Sequence, residues 1–226
     1  MTFLELCRRV GSRSGTVSSG QPLATTAGAS GRWAKIVGYT ADAWSDIQTA
    51  RRDWLFMQGE FSGPIAAGQP RYSYGAFGIA RFAGWVRDRP SLAAMSLRET
   101  ALGLADDAAL TELPHDDWRE LFGRGAQRPG RPVYWAVSPS GELLLGPVPD
   151  RAFTLTGGYR KAPQLLELDD DVPDLPAHFA DVIAAKALLL LAEHDQRPGD
   201  IIVSRSAYAN KFSQLVTDQT GRVELS

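Results

Sequence analysis

The side chains in this sequence best suited to metal binding, nucleophilic attack or proton transfer are three histidines, one cysteine and a run of aspartates. His115-Asp116-Asp117 offers an imidazole beside two carboxylates. Adjacent residues rarely point at one ion, however, and no second His or Cys lies at a ligand spacing. Placed just after Pro114, the triplet reads as the start of a helix. His194-Asp195 falls where a helix ends, and a partly cationic imidazole suits that end of the macrodipole. His178 has no such partner in sequence. Asp169-Asp170-Asp171 lacks the alternate spacing, central Gly and terminal Glu of a calcium loop, so it reads as an acidic loop ahead of a helix. Cys7 has no histidine nearby and is expected to be a small buried apolar residue.

Nucleotide and acyl-transfer signatures fail as well. The sequence has neither a G-x-S-x-G elbow nor a G-x-x-x-x-G-K-[ST] loop, and Gly28-Ala29-Ser30-Gly31 is too short and follows no strand. No catalytic, cofactor-binding or metal residues are assigned, no cofactor is expected, and the chain is read as a non-enzyme.

The elements around these residues are more informative. Thr2-Phe3-Leu4-Glu5 is a capping-box pattern that predicts a helix from Phe3 to about Arg9. Gly11 to Gly31 is mostly Gly, Ser and Thr. It is either a flexible loop or one that orders against a neighbouring subunit. Trp33, Val37, Thr40, Trp44, Ile47, Arg51 and Trp54 recur at spacings of three and four. That stripe predicts a helix from Ser30 to Gln58, roughly 40 Å long, with Ser30 as N-cap and Gly59 as its stop. Tryptophans at helical spacing mainly bury area, which favours a core role over a ligand site.

From Glu60 onward, Pro and Gly punctuate alternating aromatic and polar residues, predicting short strands and turns, with Ser91 to Leu97 a further strand. Asp106 to Leu110 is expected to begin a helix that Asp116 to Phe122 continues. Val133 to Ser138, the turn Pro139-Ser140-Gly141 and Glu142 to Leu145 form an expected hairpin, and Arg151 to Tyr159 a third strand. Pro176 suits the first turn of a helix over Ala177 to Asp195. Around Leu188 to Leu191 that helix is apolar on most sides, so either it is central in its own bundle or a neighbouring chain covers it. We expect copies packed side by side to supply part of that cover. Asp200 is the expected cap of a last helix in which Ile201, Tyr208, Phe212 and Leu215 share a face, and Thr217 to Ser226 is expected to extend as a polar tail.

The class that results is α+β: a helical bundle from the N- and C-terminal parts with an inserted antiparallel β-rich subdomain. The expected boundaries are 1–60 for the first part of the bundle, including loop 11–31, then 61–174 for the insertion and 175–226 for the second part and tail.

The chain has 226 residues, enough to bury about 70% of its unfolded surface without a metal or disulfide. A single cysteine allows no intrachain disulfide. Met1 to Val10 carries Glu5, Arg8 and Arg9 and does not look like a secretory signal, while Lys186 interrupts the longest apolar stretch, Ala184 to Ala192. A soluble protein is expected. Net charge is -2, and acidic residues balance the basic clusters Arg8-Arg9, Arg51-Arg52, Arg87 to Arg89 and Arg128 with Arg131. A protein gripping the phosphate backbone usually shows a basic excess, so direct nucleic-acid recognition is disfavoured.

Four stretches in order make the chain resemble the head-to-tail adaptor (connector) proteins of tailed bacteriophages. They are Thr2-Phe3-Leu4-Glu5-Leu6; Ala43-Trp44-Ser45-Asp46-Ile47-Gln48 running to Trp54-Leu55-Phe56-Met57; Gly130-Arg131-Pro132 with its strand, then Gly146-Pro147-Val148-Pro149-Asp150 and Thr154 to Arg160; and Asp174-Leu175-Pro176 leading into Ala185-Lys186-Ala187-Leu188. The resemblance implies a structural virion protein made in the host cytoplasm and located at the head-tail junction. It implies a homo-oligomeric ring, commonly of twelve copies, bound to the portal protein and to a tail or next connector protein. Genomic DNA would pass through the ring without sequence-specific binding, and no membrane is involved. The competing readings are a tail-completion or baseplate protein, a small soluble enzyme with an unrecognised site, and a nucleic-acid-binding regulator.

Overall fold

The computed structural model describes residues 1–15, 17, 22–87 and 94–220. The chain divides into two compact units, one of Met1–Met57 with Pro163–Ser226 and one of Gln58–Ala162. Helices fill the first and short strands most of the second, an α+β arrangement.

In the helical unit, α1 (Phe3–Ser14) opens with the expected capping box. Thr2 N–H donates to Glu5 Oε2 at 2.9 Å and Glu5 N–H to Thr2 Oγ1 at 3.3 Å. The helix continues past Arg9 because Val10 and Gly11 are buried too. A Cβ at Gly11 would meet the Trp33 ring at 2.3 Å, so only glycine lets the indole lie against this helix. Gly15, at φ 63°, then ends the helix in the left-handed conformation.

The second helix, α2 (Gly31–Thr49), is shorter than its apolar period predicts. The expected continuation to Gln58 fails because Trp54 folds back: its indole Nε1–H donates to the Ile47 carbonyl at 2.9 Å, capping an oxygen that the helix would otherwise leave unpaired. A short 3₁₀ turn, Leu55–Met57, follows, and the chain is already a strand at Gly59. Phe56 stacks between the two indoles, with ring centroids 5.8 Å from Trp44 and 5.4 Å from Trp54. Ser30 occupies the N-cap position without making a side-chain bond.

After a 3₁₀ turn at Ala177–Phe179 comes α4 (Asp181–His194), and Pro198 opens α5 (Pro198–Gln219). Arg197, not Asp200, holds the α5 N-cap position, and Asp200 lies in the first turn where a carboxylate suits the macrodipole. Helices α1, α2 and α5 all pack on α4. Val182, Ile183, Ala184, Ala187 and Leu191 are buried there, and Leu188 and Leu190 are half-buried against the same core. The one charge in this stretch, Lys186, reaches Asp46 Oδ2 of α2 at 3.0 Å and lies over the Tyr208 ring of α5. Within one chain α1, α2 and α5 cover most of the Leu188–Leu191 stretch, and what they leave half-buried at Leu188 and Leu190 remains available to a neighbouring copy.

The strand-rich unit holds two sheets. The first joins β1 (Gln58–Ile65), β3 (Gly84–Trp85), β4 (Met95–Glu99), β5 (Ala108–Ala109) and β9 (Phe153–Arg160); the second joins β2 (Arg71–Tyr72), β6 (Thr111–Glu112), β7 (Tyr134–Val137) and β8 (Leu143–Gly146). Strand β9 pairs antiparallel with β1 in the register Gln58↔Arg160 to Ile65↔Phe153, and with β3 and β4 on its other side. The predicted hairpin is β7–β8, with Val137 opposite Leu143. The expected third strand is thus present, but in the other sheet. Phe61, Ile65, Trp85, Met95, Leu97 and Leu155 share a core with Trp135, Leu143 and Leu145. Helix α3 (His115–Phe122) lays Trp118 on Ala136 and Leu144, which leaves all of β8 buried.

A helix beginning at Asp106 is not formed. Asp106 ends a 3₁₀ turn (Gly103–Asp106), and β5 and β6 follow. The cause is a polar clip: Asp106 accepts two bonds from Arg131 Nη1 at 2.8 and 2.7 Å and one from Glu99 N–H at 2.7 Å, so its carboxylate is not free to cap a helix. Ser91 to Ala93 of the expected strand lie outside the described residues.

The packing of Trp44 gives a test of this core. Its side chain is fully buried and its indole N–H makes no hydrogen bond among the described residues. Trp44→Ala is expected to cost about 3–5 kcal/mol in denaturant unfolding. Trp44→Phe should cost clearly less, since no polar partner is lost; equal losses would contradict this packing.

Candidate assembly surfaces

The residues whose chemistry looked promising in the sequence do not converge. His115 starts α3, with Nδ1 3.7 Å from Asp116 Oδ1. His178 packs its ring on Phe179, and His194 meets Lys35 Nζ at 2.8 Å and the Tyr39 ring. No three His, Cys, Asp or Glu side chains are grouped to hold a metal ion among the described residues. Cys7 is buried in α1, and burial pushes its thiol up to about 12, so it stays protonated and inert at neutral pH. Among the described residues, no helix is long and apolar enough to cross a membrane. Of the basic cluster that begins at Arg87, Asp88 and Arg89 lie outside the described residues.

The aspartate run does structural work. Asp169 Oδ1 accepts from Thr26 N–H at 2.7 Å and Thr26 Oγ1–H at 2.5 Å, and its carbonyl accepts from Leu4 N–H at 3.1 Å. Hydrogen bonds from Thr25 and Thr26, helped by the charge of Arg8, hold the Asp169 carboxyl below its ordinary value. Asp171 carries a turn: its Oδ2 accepts from Glu167 N–H at 2.7 Å and Leu168 N–H at 2.8 Å, while its carbonyl accepts from Phe3 N–H at 2.8 Å. Gln164 closes the base of the loop. It donates to the Val172 carbonyl at 2.9 Å, accepts from Asp174 N–H at 3.1 Å, and exchanges two bonds with Gln48 near the end of α2. Part of the Gly/Ser/Thr stretch is thereby ordered within its own chain, since Thr26 and Leu23 are buried.

A second feature lies at the other end of α1 and α2. A cleft of about 370 Å³ is floored by Ala185, Leu188, Leu191 and Ala192 of α4 and flanked by Val203 and Ala207 of α5. Its rim carries four basic side chains, Arg13, Arg32, Arg197 and Lys211, and two acidic ones, Asp195 and Asp200. Arg32 grips Asp195 with two bonds of 2.7 and 2.5 Å, which raises the guanidinium and lowers the carboxyl from their ordinary values. Nearby, Asp181 draws Arg9 at 2.9 Å, Arg13 at 3.6 Å and Lys211 at 3.8 Å, three cations around one carboxylate. Charged pairs around an apolar floor are features that docking surfaces share.

Neither feature was legible from spacing. The partners Thr26 of Asp169, Arg9 of Asp181 and Arg32 of Asp195 lie more than a hundred residues away in the chain, and no local pattern marks them.

The Asp169 clip predicts a pH response. Its folded carboxyl titrates below the ordinary value of 3.8, so its contribution is complete above that value and disappears as pH falls through the folded value. Asp169→Asn should lower the denaturation midpoint at neutral pH. The variant should then lose less stability than the parent chain on acidification through and below the ordinary value. Parallel pH profiles would contradict the role given to this carboxylate.

The family model described as SU10 adaptor protein matches residues 1–225. A comparison with curated proteins finds no match. With one family model spanning essentially its whole length, the chain belongs to the SU10 adaptor protein family and is a structural adaptor protein of bacteriophages.

Proposed function

We propose that this adaptor works as a homo-oligomeric ring, commonly of twelve copies, at the head-tail junction of the virion. It binds the portal protein on one side and a tail or next connector protein on the other, and genomic DNA passes through it without sequence-specific contacts. The observation that carries this reading is the family match over residues 1–225. Physical chemistry supports it in two ways. A net charge of -2 suits a wall past which DNA slides, because a strongly basic surface would hold the backbone. The helical unit also keeps aliphatic side chains in water, notably Ile202 and Val203 on α5, as expected of a chain that functions with neighbours. The strand-rich insertion and the helical unit are, on this reading, separate working parts of one subunit.

Electron microscopy of the virion tests the proposal: a ring of this chain directly below the portal is expected. A location in the baseplate, or no place in the particle, would refute it.

A second test concerns the C-terminus. The expected tail from Thr217 to Ser226 needs revision, because α5 runs through Gln219, which is buried. Residues 221–226 lie outside the described residues. Deleting them should leave thermal unfolding unchanged while preventing stable attachment to the portal or the next ring. Normal virion assembly by the shortened chain would count against tail docking.

A further inference from the structure

The loop from Gln164 to Asp174 is held firmly yet keeps three aliphatic side chains in water: Leu165 is 67% exposed, Leu168 65% and Val172 53%. Its hydrogen bonds to Gln48, Thr26 and the first turn of α1 fix its shape, so little conformational freedom remains to be lost when it meets a partner. From Pro163 to Leu175 the chain has five acidic and no basic residues, and Glu167 and Asp170 point into solvent. The partner must therefore be apolar with a basic rim.

This chain carries such a surface itself. The cleft between α4 and α5 has an aliphatic floor, an exposed Val203 beside it, and four basic against two acidic side chains on its rim. Within one chain the two cannot meet. The loop is bonded to Phe3, Leu4 and Gln48, at the start of α1 and the end of α2, whereas the cleft is lined by Ser14 and Arg32, at the opposite ends of those helices. A 19-residue α2 spans about 28 Å, and the loop is anchored to Gln48 at its base and to Thr26 further along.

We infer that the Leu165–Val172 loop of one copy docks in the α4–α5 cleft of the next. The contact joins two different patches, so it is heterologous and repeats from copy to copy, generating a closed ring when the rotation between neighbours closes. This assignment rests on the ring reading proposed above and names the surfaces that would build it. Leu168 enters over Leu188 and Val203, while Glu167 and Asp170 face Arg13, Arg197 and Lys211.

Cysteine cross-linking in purified virions carrying the full chain tests this. Leu168→Cys and Val203→Cys replace exposed side chains, and Cys7 is too buried to compete. Virions with both substitutions should give a ladder of disulfide-linked multimers on non-reducing gels, whereas either substitution alone should give none. Electron microscopy of the same particles counts copies. Several copies per particle without a ladder, or capture of Leu168→Cys by a different virion protein, overturns this docking and leaves the ring reading standing. A single copy per particle, or none, overturns both.

Discussion

The helical unit depends on one demand, that α4 be covered on nearly every side. A helix with apolar residues around its circumference is stable in water only when several neighbours bury it, at about 1.5–3 kcal/mol for each large aliphatic side chain removed from solvent. Here α1, α2 and α5 meet most of that demand, leaving the cleft floored by Leu188 and Leu191, and their sequences fit the task. The short α1 is nucleated by its capping box and presents Phe3, Leu6, Cys7 and Val10 to the core. Ile36, Thr40, Ala43, Trp44 and Ile47 of α2 line the next side. Over α5 the cover is narrow, with Leu215 fully buried and Tyr208 and Phe212 half-buried, so most of that helix faces outward. The pairing of Lys186 with Asp46 and the Tyr208 ring shows the same economy, because the one cation in the apolar run is matched by the helices on either side of it.

In the strand-rich unit the organising element is β9, which pairs along both edges and brings β1, β3 and β4 into one sheet. Arg131 plays a comparable role among the loops. It binds the Asp106 carboxylate and carbonyl and the Leu97 carbonyl, fastening the turn after β4 to the segment before β7. A guanidinium can do this because its donors diverge in a fixed plane and satisfy several acceptors at once.

Elements whose cause is local were legible in the sequence. The capping box at Thr2, the β7–β8 hairpin and the Pro-led starts near Ala177 and His115 all follow from chemistry within a few residues of each other. Those decided at long range were not. Trp54 fits the α2 period, but its indole caps that helix instead of extending it. Asp106 looks like a helix start, but Arg131 has claimed it. The apolar run at Leu188 to Leu191 does not say which of its sides α1, α2 and α5 take and which is left as the floor of a cleft. The candidate surfaces share this blindness. Asp169 and Asp171 are a bare acidic run in sequence, and only their threonine and backbone partners show them to be the frame of a loop.

That frame bears on how affinity and register divide between the two proposed surfaces. The basic side chains of the cleft already have carboxylate neighbours: Arg32 is bound to Asp195, Arg197 lies 3.6 Å from Asp200, and Lys211 lies 3.8 Å from Asp181. An arriving acidic loop would exchange or share these partners, so the net electrostatic gain is small, as for most exposed ion pairs. Charge then chiefly selects the register and rejects like-charged approaches. The gain in affinity falls to Leu165, Leu168 and Val172, whose burial has no prior partner to displace. A loop held rigid before contact keeps most of that gain, because its ordering cost has already been met by the fold.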